Sequence, residues 1–130
     1  ICQRVEADQY YRSIMNSDHP GVESNASDAI TAAACDVAQT IGAACITNFT
    51  ASGSTTLRTA RQRPPMPILS LSHSQETTRR LALSYGVHAL FAKDVKSFAE
   101  AVDTVIAKAR ETGLAKKDES IVMTAGVPFG

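Results

Sequence analysis

Thr50-Ala51-Ser52-Gly53-Ser54-Thr55 is the stretch whose residue types and spacing could do chemistry. Four of its six residues carry hydroxyls, and Gly53 lets the backbone come close to a ligand. Residues 43–49 before it read as a short buried strand, and residues 56–63 after it as a short helix stopped by Pro64-Pro65. The six residues therefore leave the carboxyl end of a strand and open a helix. At such a turn the first N–H groups lack intrahelical acceptors, and the helix dipole favours negative charge. Hydroxyls plus free amides make a phosphate cradle. In open α/β sheets the crevice at the carboxyl ends of the strands is where ligands bind. A second reading stays open: Ser and Thr here are also ordinary capping and turn residues. No Lys follows Gly53 as a Walker loop requires, and a single Gly is no dinucleotide fingerprint.

Other candidates carry less. His19, His73 and His88 are scattered, without metal-ligand spacing. Arg58, Arg61 and Arg63 sit on the short helix and Arg79-Arg80 on the next. They read as a solvated face, with a second phosphate contact or a subunit salt bridge as alternatives. Cys2, Cys35 and Cys45 are odd in number and spaced for neither a disulfide framework nor a zinc site. Cys35 and Cys45 lie in apolar segments and read as inert core thiols. The pattern fits a reduced, cytoplasmic compartment, in which the sequons at Asn25 and Asn48 are accidental. No Gly-x-Ser-x-Gly elbow is present, and no catalytic constellation emerges.

The elements that must position the loop follow from periodicity. Residues 1–17 carry a patchy helical pattern (Val5, Tyr10, Tyr11, Ile14, Met15), and residues 16–25, with Pro20 and Gly21, read as a linker. Ser27 is the expected N-cap of a helix whose apolar positions are Ile30, Ala33, Ala34, Val37 and Ile41, closed by Gly42. After the loop and its helix comes a strand at 67–72. Ser74 then caps a helix with Thr78, Leu81, Ala82 and Tyr85 on one face, ended by Gly86. A third strand spans 87–92. Asp94 is the expected cap of a helix with Val95, Phe98, Ala99, Val102, Val105, Ile106 and Ala109, closed by Gly113, and a fourth strand spans 121–125. Strands separated by helices require crossovers, so the fold class is α/β: a three-layer α/β/α domain on a mostly parallel sheet.

Composition agrees and excludes. At 130 residues, 44% hydrophobic and 20% charged, the chain is one soluble globular domain with a short appendage. Thirteen Lys+Arg balance thirteen Asp+Glu, and aromatics are 5% without Trp. Neither a nucleic-acid nor a membrane-surface partner is expected from such a surface. No apolar run reaches the ~18–20 residues of a membrane span, and residues 1–6 are no signal peptide.

Six motifs in order resemble one family. They are Ser27-Asp28-Ala29-Ile30, the loop from Thr50 to Thr55, Arg63-Pro64, Arg79-Arg80-Leu81-Ala82-Leu83, Tyr85-Gly86-Val87 and Ala125-Gly126-Val127-Pro128-Phe129-Gly130. Together they are similar to the C-terminal domain of bacterial pyruvate kinases. The resemblance assigns residues 1–25 to a helix and linker from a preceding catalytic barrel, and residues 26–130 to the C-terminal α/β domain. It implies strand order 3-2-1-4-5, with an antiparallel fifth strand that this chain stops short of. The parent would transfer a phosphoryl group from phosphoenolpyruvate to ADP in glycolysis, with Mg2+ and K+. That chemistry belongs to the barrel, so the domain itself holds no cofactor and is inactive. The resemblance further implies a phosphorylated small-molecule effector, bound by Thr50, Ser52, Gly53, Ser54 and Thr55, and contacts within a homotetramer. Many family members carry a basic residue where Ser54 stands. Two other classes remain. A free-standing phosphate- or sugar-phosphate-binding module would lack the barrel altogether. A phosphotransfer receiver would need an Asp at a strand's carboxyl end, where Asn48, Thr50 and Ser72 stand instead.

Overall fold

The computed structural model describes residues 1–17 and 21–126. His19, Pro20 and the run from Val127 to Gly130 lie outside the described residues. Two short helices open the chain, α1 (Cys2–Glu6) and α2 (Gln9–Ser17). Then follow α3 (Ala26–Ile41), β1 (Cys45–Phe49), α4 (Ser54–Arg61), β2 (Ile68–Ser72), α5 (Gln75–Leu81), β3 (Val87–Phe91), α6 (Phe98–Glu111) and β4 (Ile121–Thr124). The sheet has order β3-β2-β1-β4 and every pairing is parallel. This is the expected three-layer α/β/α arrangement, with four strands among the described residues.

Right-handed crossovers put α4 and α5 on the face where α3 lies, and α6 on the other. The α6 face buries Val105 and Ala109 against Cys45, Leu69 and Leu71. The opposite face packs Cys35, Ala38 and Ala43 on Ile46. β2 is buried along its whole length, so its two serines need partners. Ser70 Oγ lies 2.8 Å from Thr56 Oγ1, and Ser72 Oγ accepts from the Ser74 amide at 3.2 Å. Burial also pushes the Cys35 thiol up to about 12 and the Cys45 thiol up to about 11. Both stay protonated and unreactive, as core thiols do.

Local chemistry moves several boundaries. Asn25, not Ser27, caps α3: its Oδ1 accepts from the Asp28 amide at 2.9 Å. Ser97, not Asp94, caps α6, because Ser97 and Glu100 form a capping pair. Ser97 Oγ accepts from the Glu100 amide at 3.2 Å, and the Glu100 carboxylate accepts from the Lys96 amide at 2.9 Å. α4 starts at Ser54 and ends at Arg61, since Arg63 precedes proline and takes φ 49°. α5 ends at Leu81, which leaves Tyr85 in the following turn with the Arg63 guanidinium 4.1 Å from its ring centre. The face of α3 is also rotated from the expected one. Asp28, Thr31, Ala34, Cys35 and Ala38 are buried, whereas Ile30, Val37 and Ile41 are exposed by 58%, 50% and 53%. Small side chains let α3 lie close to the sheet, and Asp28 has to face α4.

Asp28 is fully buried and its carboxylate is fully engaged. It accepts from the Glu23 amide at 2.6 Å, from Arg58 Nη1 at 3.1 Å and from Arg61 Nη2 at 2.6 and 2.5 Å. The Glu23 carboxylate meets the same two guanidiniums at 3.4 Å each. Arg58 and Arg61 are therefore a clamp on the linker rather than a solvated face. The Glu23 amide and the two arginines hold the Asp28 carboxyl below its ordinary value of 3.8, against the opposing effect of burial. A lowered carboxyl stabilises the fold above its unfolded value and loses that contribution as pH falls through the folded one. Asp28→Asn is expected to lower the melting temperature by several degrees at neutral pH. Its difference from wild type should shrink below about pH 4, as thermal melts across pH would record.

Candidate functional site

The loop between β1 and α4 is built as a tight turn around its own hydroxyls. Gly53 takes φ 88° and is buried, which allows α4 to begin at the very next residue. Thr50 Oγ1 accepts from the Gly53 amide at 2.9 Å. Ser52 Oγ donates to Ser54 Oγ at 3.1 Å and accepts from the Ser54 amide at 3.4 Å. Ser54 and Thr55 thus belong to the first turn of α4 rather than to the loop ahead of it. The structure brings Thr50, Ser52, Gly53 and Ser54 into one hydrogen-bonded unit, with Thr55 next along the helix. Ser52 and Ser54 are exposed, and Thr50 and Thr55 are half-buried. Of the amides that open α4, those of Gly53 and Ser54 are taken up by Thr50 and Ser52, while those of Thr55 and Thr56 have no intrahelical acceptor.

Two flanking features escaped the sequence. α5 holds the loop from the side: Thr77 Oγ1 donates to the Ala51 carbonyl at 2.9 Å, and the Arg80 guanidinium donates to the Ser52 carbonyl. The second feature lies where the strand order reverses between β1 and β4. Asn48 is fully buried there and donates through Nδ2 to Thr124 Oγ1 at 2.6 Å, while its Oδ1 has no partner among the described residues. Residues 50–55 line neither of two clefts found elsewhere. One, of about 100 Å³, lies where Tyr11 and Met15 of α2 meet Gln62 and Tyr85. The other, of about 330 Å³, runs between α6 and β4. The candidate site is a turn at the sheet's carboxyl edge, with Ser52 and Ser54 exposed. His73 and His88 are exposed, and among the described residues no group of three or more His, Cys, Asp or Glu could hold a metal ion.

A family model described as "Pyruvate kinase, alpha/beta domain" matches residues 28–130. The chain belongs to this family. A pyruvate kinase of Agrobacterium vitis is 39% identical over 129 residues, which is 99% of this chain and 27% of that relative. One from Methylorubrum extorquens is 36% identical over 130 residues, 100% of this chain and again 27% of the relative. The chain thus spans about a quarter of the length of these curated relatives. A crystal structure of a Cryptosporidium parvum pyruvate kinase superposes with TM-score 0.87 at 21% identity, covering 97% of this chain and 26% of that one. A second structure of that enzyme, in complex with ADP, matches with the same figures. At this identity the superposition carries the pyruvate kinase fold alone.

Gly53 is the residue of the turn that no side chain can replace freely. A Cβ there would meet Leu81 Cδ2 at 3.2 Å and Thr77 Cγ2 at 3.3 Å, on a backbone of positive φ. Gly53→Ala is expected to destabilise the fold by about 1–2 kcal/mol from the backbone alone, and further from crowding. Gly86→Ala, where a Cβ would meet nothing within 4 Å, should lose only the backbone part. Urea unfolding of the two variants measures the difference.

Proposed function

We propose that this chain is the regulatory domain of a pyruvate kinase. In this reading Thr50, Ser52, Gly53, Ser54 and Thr55 hold the phosphate of a small phosphorylated effector. The observation that supports it most is the turn itself: hydroxyls and first-turn amides at a helix start, at the carboxyl edge of a parallel sheet. The whole enzyme would transfer a phosphoryl group from phosphoenolpyruvate to ADP in cytoplasmic glycolysis. Its Mg2+, its K+ and its reacting groups would belong to a barrel domain outside residues 26–130, so the domain on its own is inactive. No helix among the described residues is long and apolar enough to cross a membrane.

Regulation in this reading is a difference in affinity. An effector alters the barrel only if it binds the active arrangement more tightly than the inactive one. Inorganic phosphate, a sugar phosphate or AMP is expected to raise the melting temperature, and Gly53→Asp to abolish the rise. A ligand at a hundred times its Kd stabilises by about 2.7 kcal/mol, enough for a clear shift. Absence of any shift with all three would remove the effector reading. An open reading frame without a barrel ahead of Ile1 would favour the free-standing module.

A second role, contact between copies of the enzyme, is supported by α3. Ile30, Val37 and Ile41 form an apolar stripe along its outer face, each at least half exposed. Val37→Glu is expected to shift the whole enzyme from tetramer towards smaller species in sedimentation velocity. An unchanged distribution would assign the stripe elsewhere.

A further inference from the structure

The cleft where the opening helices meet the sheet domain is polar, and it lies apart from the turn after β1. Its volume is about 100 Å³. A dry cavity of about 150 Å³ takes benzene, so this one has room for about four or five non-hydrogen atoms. Its wall carries an unanswered donor. Gln62, the residue that closes α4, lines the cleft and is only 6% exposed, and its Nε2 has no hydrogen-bond partner among the described residues. A buried N–H without an acceptor costs stability, and native structures rarely leave one so. Arg63 lines the same cleft, with its guanidinium 4.1 Å from the Tyr85 ring centre. A guanidinium stacked by its face keeps its N–H edge for an acceptor. Arg12 of α2 adds a second guanidinium. Neither arginine forms an ion pair among the described residues.

Two carboxylates of the cleft, Glu6 and Asp36, bound the choice of anion, because they oppose a doubly charged group more than a singly charged one. Burial, with Tyr11 and Glu6 close by, pushes the Tyr85 phenol up, so it stays neutral beside Glu6. Pro64, Pro65 and Met15 supply an apolar part of the wall. We propose that this cleft binds a small monocarboxylate: the carboxylate meets Gln62 Nε2 and the Arg12 and Arg63 guanidiniums, and a short aliphatic tail packs on Pro64, Pro65 and Met15. A planar carboxylate accepts two parallel N–H bonds from a guanidinium edge, which a spherical anion does not. Held by α2 and by the segment after α4, such an anion bridges the opening helices and the sheet domain. The site is independent of the phosphate reading of the turn.

The test titrates the chain with sodium propionate and follows the side-chain amides and guanidiniums by heteronuclear NMR, with sodium chloride and propionamide as controls. The Gln62 amide signals, identified by their loss in Gln62→Leu, are expected to shift saturably with propionate and with neither control. Gln62→Leu keeps the bulk and removes the donor. It should weaken binding about tenfold, read from the Arg63 guanidinium signal, and melt no lower than wild type, because an unpaired buried amide is gone. Arg12→Gln, at an exposed position, should weaken binding about threefold to tenfold with an unchanged melting curve. If Gln62→Leu fails to fold, Arg12→Gln decides. Propionate binding within twofold of wild type in Arg12→Gln overturns the inference, and so does an equal response to propionamide. Gln62 signals that propionate does not move remove the site altogether.

Discussion

A carboxylate without access to water has to be met by donors, and the way Asp28 is met sets how two helices and a linker lie together. Its partners come from two places, the Glu23 amide of the linker and Arg58 and Arg61 of α4, while Asn25 accepts from the backbone amide of Asp28 to cap the helix it belongs to. Removing any one of them would leave charge in a dry site, which is why such clusters tolerate little displacement. Because the arginines belong to α4, the cluster also fixes the rotation of that helix about its axis. The turn that opens α4 inherits the orientation. Burial of Thr56 and Thr59 on the sheet side completes the constraint, with Thr56 tied to Ser70 of β2.

That constraint explains a feature of the candidate site that would otherwise be odd for a ligand turn, namely its exposure. Ser52 and Ser54 stand open to water, yet the turn is held from every other direction. β1 delivers it, α4 leaves it, and α5 holds its carbonyls. An exposed group on a rigid frame can bind without the ordering cost that a mobile loop would incur. Gly53 is where the three elements converge, and its lack of a Cβ is what lets α5 come within contact distance.

Much of this architecture was legible from residue types. The alternation of helix, glycine and strand at Gly42, Gly86 and Gly113 gave the parallel three-layer fold, because glycine after an apolar helix followed by a β-branched run is a local signal. The hydroxyl-rich turn between β1 and α4 was legible for the same reason, since its hydroxyls and Gly53 are contiguous. Pairings between distant elements were not. Asp28 and Arg61 are thirty-three positions apart, and Ser52 and Arg80 twenty-eight, with nothing local to mark either. The face of α3 was misread because hydrophobicity favours Ile30, Val37 and Ile41, whereas small residues and a paired carboxylate fill the buried side. Asp94 was a plausible cap, but Ser97 with Glu100 three residues on is the better one, and Val95 is buried ahead of the helix.

The same helix that starts at the turn ends at the linker clamp, and this has a physical consequence for any regulation. α4 has eight residues, so its two ends are only about 12 Å apart and it moves as one body. A displacement at Ser54 cannot be absorbed along the helix and arrives at Arg58 and Arg61. There it meets Asp28, whose dry carboxylate resists small shifts of its partners and yields only to a different set of them. The clamp thus ties the linker at Glu23 to the orientation of α4. In the reading proposed above, an effector at the turn would influence a preceding domain only to the extent that its affinity differs between two arrangements of the enzyme.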